Sequence, residues 1–165
     1  MRVSRTAMDA QKSMKRQKVK KYEFTGETKD VGVLVRRIRR ISDGVLGGWL
    51  EGEHNLSHYG SCWVGDDACV LDEAGVYDDA RVEEYGWVTN HATLSGNACV
   101  SGEALVEGQA RLYNNARASG NAKLTGCAIL SDSACAQGDA YVDGPVGGCV
   151  CVTWNAKGQT YFGEQ

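Results

Sequence analysis

Proline occurs once in these 165 residues, phenylalanine twice and histidine three times. No apolar run reaches eighteen residues, so no stretch reads as a membrane-spanning helix. The basic N-terminus lacks the apolar segment of a secretory signal. The expectation is a cytoplasmic protein without membrane contact. Cys-x-x-Cys pairs are missing too. The seven cysteines (62, 69, 99, 127, 135, 149 and 151) are odd in number, and they read as reduced thiols. Histidine-based chemistry has only His54, His58 and His91 to draw on.

What is present is glycine, 21 residues of it, and a divided charge. The net charge of −3 conceals a basic start: residues 1–40 hold 13 Lys/Arg against 4 Asp/Glu. Residues 43–84 then hold 11 Asp/Glu against the single Arg81.

One six-residue phrase runs unbroken through residues 64–144. An apolar residue recurs at Val64, Val70, Val76, Val82, Val88, Leu94, Val100, Val106, Leu112, Ala118, Leu124, Leu130, Ala136 and Val142. A small residue follows four places on, from Ala68 through Gly86 to Ala140, with a polar pair such as Gly96-Asn97 or Asp132-Ser133 before it. A helix needs a 3.6-residue stripe and a hairpin sheet needs turns at varied spacing, so a strict period of six predicts a parallel β-helix. Three phrases make an 18-residue coil, and residues 18 apart stack. The inner columns then read Val64/Val82/Val100/Ala118/Ala136, Val70/Val88/Val106/Leu124/Val142 and Val76/Leu94/Leu112/Leu130. In the layer Ala118/Leu124/Leu130 two leucines offset the alanine, as near-constant packing density requires. The regular rod should be about four and a half coils long at the ~4.8 Å strand spacing. Cys99 and Cys135 share a column two coils apart, about 9.6 Å, too far for a disulfide.

Four segments follow. Residues 1–21 read as a mobile basic arm (Lys12, Lys15, Arg16, Lys18, Lys20, Lys21) and residues 22–63 as a cap plus an irregular entry coil. In that coil Leu50 and Leu56 stand two residues out of register with Val64. Strands at Tyr22–Phe24 and Val31–Ile41 should plug the first coil, since an open end exposes core and unpaired backbone. Residues 64–144 are the β-helix. Residues 145–165 read as a hairpin lid around Asn155-Ala156-Lys157-Gly158, with Trp154, Tyr161 and Phe162 covering the last coil.

The pattern A-x-V-x-G-N, met in Ala92–Asn97 and Ala116–Asn121 with Leu94 and Ala118 at the apolar place, resembles the hexapeptide-repeat proteins, whose β-helix is left-handed. Gly47-Gly48-Trp49, Asn55-Leu56-Ser57, Gly60 and Cys62-Trp63-Val64 resemble the entry segment of a bacterial and phage family labelled acyltransferase or polymer-forming. The resemblance implies two functions. One is acyl transfer from a coenzyme A thioester, with a histidine general base in a groove between the subunits of a trimer. The other is a non-enzymatic, phage-borne scaffold.

For acyl transfer the candidate base is His91, which could be oriented by Glu73 one coil below. No loop interrupts residues 64–144 to wall an active site, and no basic loop awaits the phosphates of coenzyme A. For a metal, the tight acidic group is Asp66, Asp67 and Glu84, against a plainly solvated collar. Cys99 lies between Arg81 and Arg117, a mildly activating place for a thiol. Nucleic acid is expected only through the basic arm, because the acidic rod behind it repels phosphate.

The outer surface carries the preferred reading. Cys69, Trp87 and Leu105 form an outward apolar column beside Leu71, another face shows Tyr77, Tyr113 and Ile129, and Trp63 can stack over Arg81. Contiguous outward apolar residues on flat faces mark contact with a protein partner or with further copies in a homo-oligomer, unless the arm or the hairpin covers them. The expected function is therefore non-enzymatic binding or scaffolding.

Overall fold

The computed structural model describes residues 19–148, 151–153, 155–156 and 161–162. From residue 63 onward a two-residue strand starts every six residues as far as Tyr141–Val142. With the strands before and after them they make three sheets, one of nine strands and two of six, parallel except for two antiparallel pairings at the start. The described residues thus form an all-β solenoid of about six coils. The three expected columns pair in register, for example Val64↔Val82 and Leu94↔Leu112. Every apolar residue in them is fully buried. The small residues, from Ala68 to Ala140, are buried as well. A larger side chain there would collide with the axis where the chain turns.

Between each buried alanine and the preceding strand comes a residue with positive φ. Asp66, Asp72, Asp78, Glu84, Asn90, Asn114 and Asp132 have φ between 50° and 60°, and glycines fill the equivalent places at 96, 102, 108, 120, 126 and 138. This left-handed backbone is costly for most side chains but tolerated by Asn, Asp and Gly. The polar pair in each phrase is thus a bend, repeated once per face.

The rod is longer than the expected four and a half coils, because both ends join it out of period. At the start, strand β1 (Tyr22–Asp30) and strand β2 (Leu34–Arg40) form an antiparallel hairpin, and β2 pairs with β3 (Leu46–Leu50). In turn β3 pairs in parallel with the first regular coil, Leu50↔Val70 and Leu56↔Val76, twenty residues apart. A single turn of 3-10 helix, Glu53–Asn55, lies between Leu50 and Leu56, and the two surplus residues are taken up after it, between Leu56 and Val64, which are eight apart. Tyr22, Ile38, Leu50 and Leu56 close the axis from this end.

At the far end the expected hairpin is corrected. Pro145–Gly147, Cys151–Val152, Asn155–Ala156 and Tyr161–Phe162 each pair in parallel with the coil before, Tyr161–Phe162 with Pro145–Gly147, and none of these pairings is antiparallel. The solenoid continues with shortened coils: Leu130 pairs with Val146 and Ala136 with Val152, sixteen residues apart. Pro145 stands first in its strand, the place where a missing N–H is tolerated. Trp154 and the loop residues Lys157 and Gly158 lie outside the described residues, as do the side chains of Tyr161 and Phe162.

The shorter coil also corrects the cysteine reading. Cys151 lands directly on Cys135, Cα–Cα 4.5 Å, and the two form a disulfide. Cys62, Cys69, Cys99 and Cys127 are free thiols. Cys149 lies outside the described residues. Among the described residues no helix is long and apolar enough to cross a membrane.

Candidate functional site

The corner carboxylates are occupied by the backbone. Asp66 accepts the N–H of Glu84, Asp72 that of Asn90, Asp78 that of Gly96 and Glu84 that of Gly102. Each carboxylate thus caps the bend of the next coil, a donor that the regular ladder leaves open. Asp67, the third member of the suggested metal group, faces the indole N–H of Trp49 at 3.4 Å. Among the described residues no group of three His, Cys, Asp or Glu is placed to hold a metal ion. The corner acids are a structural device, which neither the cation nor the collar reading had identified.

This device carries a pH dependence. The hydroxyl of Thr89 and the N–H of Asn90 hold the Asp72 carboxyl below its ordinary value, and the hydroxyl and N–H of Ser61 do the same for Asp79. A carboxyl with a depressed folded pKa binds fewer protons folded than unfolded near pH 3–4. Its stabilisation is complete above the ordinary carboxylate range and is lost as pH falls through the folded value. Urea midpoints should therefore fall steeply below about pH 4. Asp72→Asn, whose amide oxygen can still accept both bonds, should flatten that slope. An unchanged slope in the variant would show that Asp72 is not a contributor.

The histidines are placed differently from one another. His54 Nε2 lies 2.6 Å from the carbonyl oxygen of Asp72. His58 is buried, stacked on Tyr22 at 4.3 Å between ring centroids, and its Nδ1 accepts the N–H of Lys21. His91 is exposed at a corner, and among the described residues neither a hydrogen bond nor an ion pair joins it to Glu73. Burial, above all, pushes the Cys99 thiol up, and Glu83 adds to this against the opposing pull of Arg117 and Arg81. Cys99 is therefore a neutral thiol at neutral pH, not an activated nucleophile.

The apolar column is real but partly covered. The β1–β2 hairpin folds its end over the outer face, and Val35, Trp49, Cys69 and Leu71 form a second buried cluster with Val31, Val33 and Trp87 against it. Leu71 is only 6% exposed, so it is not the free anchor expected from the sequence. Trp87 and Leu105 are half-buried, and Trp87 pairs with both Cys69 and Leu105 along the column. Beyond them the column turns polar at Lys123, which is ion-paired with Glu107 at 2.9 Å. On the neighbouring face Tyr77 and Tyr113 are exposed and Ile129 half-buried.

The basic segment is also largely engaged. Arg37 and Lys29 lie over the Trp49 ring, Arg36 over Phe24, and Arg39 pairs with Glu23. The cation stacked on Trp63 is Arg40, at 4.4 Å, and not Arg81 as the strand order suggested. Arg81 instead sits beside Trp63 in the ladder and faces Glu83 at 3.8 Å. Of the arm, Lys20 pairs with Glu53, and the Lys21 ammonium donates to the carbonyl of Cys62. Lys12, Lys15, Arg16 and Lys18 lie outside the described residues. No protein-family model matches the chain, and no curated protein matches it.

Proposed function

We propose that this protein is a non-enzymatic binding or scaffold protein, cytoplasmic, whose flat solenoid faces contact other proteins, further copies of itself first. The observation that supports this reading is the outward column Trp49–Cys69–Trp87–Leu105. Its first half is buried under the chain's own hairpin, while its second half continues half-buried with the same apolar character. A surface that has already recruited one apolar segment is chemically fitted to recruit another. The four free thiols among the six described cysteines agree with a reducing compartment, with Cys135–Cys151 as the exception.

The test is the native mass by light scattering, together with capture of a tagged copy by an untagged one. Trp87→Asp with Leu105→Asp should dissociate the assembly and leave the β-type circular dichroism unchanged. An assembly of unaltered mass would remove the proposal. Acyl transfer with His91 as base remains the alternative, but the exposed and unoriented imidazole lends it no support. Calorimetric titration with a coenzyme A thioester tests it directly.

A further inference from the structure

The third face of the rod has a different character. Along it the outward residues Trp63, Arg81, Cys99 and Arg117 stack in register. Two adjoining hollows, about 550 and 330 Å³, lie over this face and share Ser61 and Arg81. The larger reaches Arg117 and the smaller reaches Arg40 and Lys21, so four cations line one continuous groove.

Two carboxylates share the groove, and both have partners. Asp79 accepts the N–H and the hydroxyl of Ser61 at 3.1 and 2.6 Å. Glu83 makes only a long, exposed pair with Arg81, which is worth little and is readily exchanged. Among the described residues Arg117 has no ion pair and no side-chain hydrogen bond, although it is charged at every working pH.

We propose that this groove binds an extended acidic peptide segment, whose carboxylates are held by Arg81 and Arg117. Strands stack at ~4.8 Å, so the Cα atoms of these two arginines are about 10 Å apart with Cys99 between them. Acidic side chains at alternate positions of an extended peptide project from one face ~7 Å apart. Two flexible guanidinium arms span that difference and can each take a carboxylate in bidentate fashion. The neutral Cys99 thiol puts no opposing charge between them.

Nucleic acid fits less well. The aromatic ring of the groove, Trp63, is already covered by Arg40 and gives bases no stacking platform. The corners on either side carry Asp66, Asp67, Asp78 and Glu84, which would repel a polyphosphate longer than the groove. A short acidic segment lies between these corners.

The experiment is fluorescence anisotropy of a labelled hexapeptide of alternating glutamate and serine, titrated with the full chain at two salt concentrations. Binding should weaken as salt rises, and Arg81→Ala with Arg117→Ala should weaken it tenfold or more. Arg111→Ala, on another face, should leave it unchanged, and so should Trp87→Asp with Leu105→Asp. Thermal melting of each variant verifies the fold, which these exposed arginines do not support. Wild-type protein that does not bind, or a double arginine variant that binds equally well, overturns the proposal. So does a single-stranded oligonucleotide that binds more tightly than the peptide through the same arginines. Because the groove and the apolar column are on different faces, loss of either activity leaves the other testable.

Discussion

Asn55→Ala should unfold the entry coil before any other part of the molecule. Asn55 is fully buried, and its amide is shared among three backbone groups. It donates to the carbonyls of Asp72 and Ala74 at 2.9 and 2.8 Å, and its oxygen accepts the N–H of Gly52 at 2.8 Å. Alanine leaves the Ala74 carbonyl and the Gly52 N–H without that partner, while the Asp72 carbonyl keeps His54 Nε2, at about 1–3 kcal/mol for each group that water cannot reach. The expected loss is therefore about 3–5 kcal/mol, among the largest that a single side chain produces. Asn55→Asp should be worse than alanine at pH 7, since its carboxylate would face two carbonyl oxygens in a buried place. The urea midpoint of both variants is the measurement. A shift below about 1 kcal/mol for Asn55→Ala would mean that water replaces the amide and that the coil is open there.

Gly48 predicts the second large effect, through space instead of hydrogen bonds. Strand β3 crosses the first regular coil so closely that a Cβ on Gly48 would stand 2.4 Å from the carbonyl oxygen of Ala68 and 2.9 Å from that of Gly65. Both obstacles are backbone, so they cannot swing aside. Gly48→Ala must lift β3 away from Leu50↔Val70 pairing, an overpacking cost near or above the upper end of the usual 1–3 kcal/mol. The comparison is Gly86→Ala, at a place where the other phrases already carry alanine, which should move the thermal midpoint little. Equal effects from the two substitutions would refute the close-approach account.

These two positions show how much the sequence disclosed. Gly47-Gly48-Trp49 and Asn55 stand in the sequence as a signature, but their physical task is visible only when β3 is seen against Ala68 and the amide against Ala74. The columns from Val64 to Val142 were legible because a period of six leaves one side of every two-residue strand apolar. The three sheets and the buried alanines followed from that, whereas the cap strands rest on separate strand signals at Tyr22–Phe24 and Val31–Ile41.

The distal end was not legible, because two residues are missing from the period between Val142 and Val146, which are four apart instead of six. Cys151 looked unrelated to Cys135 until a sixteen-residue coil set one above the other. The corner acids were misread for another reason. Sequence places Asp66 and Asp67 side by side, but only the first has positive φ and reaches the N–H of the coil above. Leu71 reads as surface because nothing in a linear pattern tells that Val31 and Val33 fold back over it.

The unequal lengths of the end coils have a consequence for how the chain finds its frame. Identical rungs of eighteen residues could be threaded one rung too early or too late, with valine still facing valine and nearly every ladder bond still made. Such an error is prevented where the rungs differ. A twenty-residue coil fits only between Leu50 and Val70, and a sixteen-residue coil only between Leu130 and Val146. Asn55 at one end and the Cys135–Cys151 bond at the other can form only when the count between them is correct. The irregular ends thus act as start and stop marks for a message that is otherwise the same word repeated.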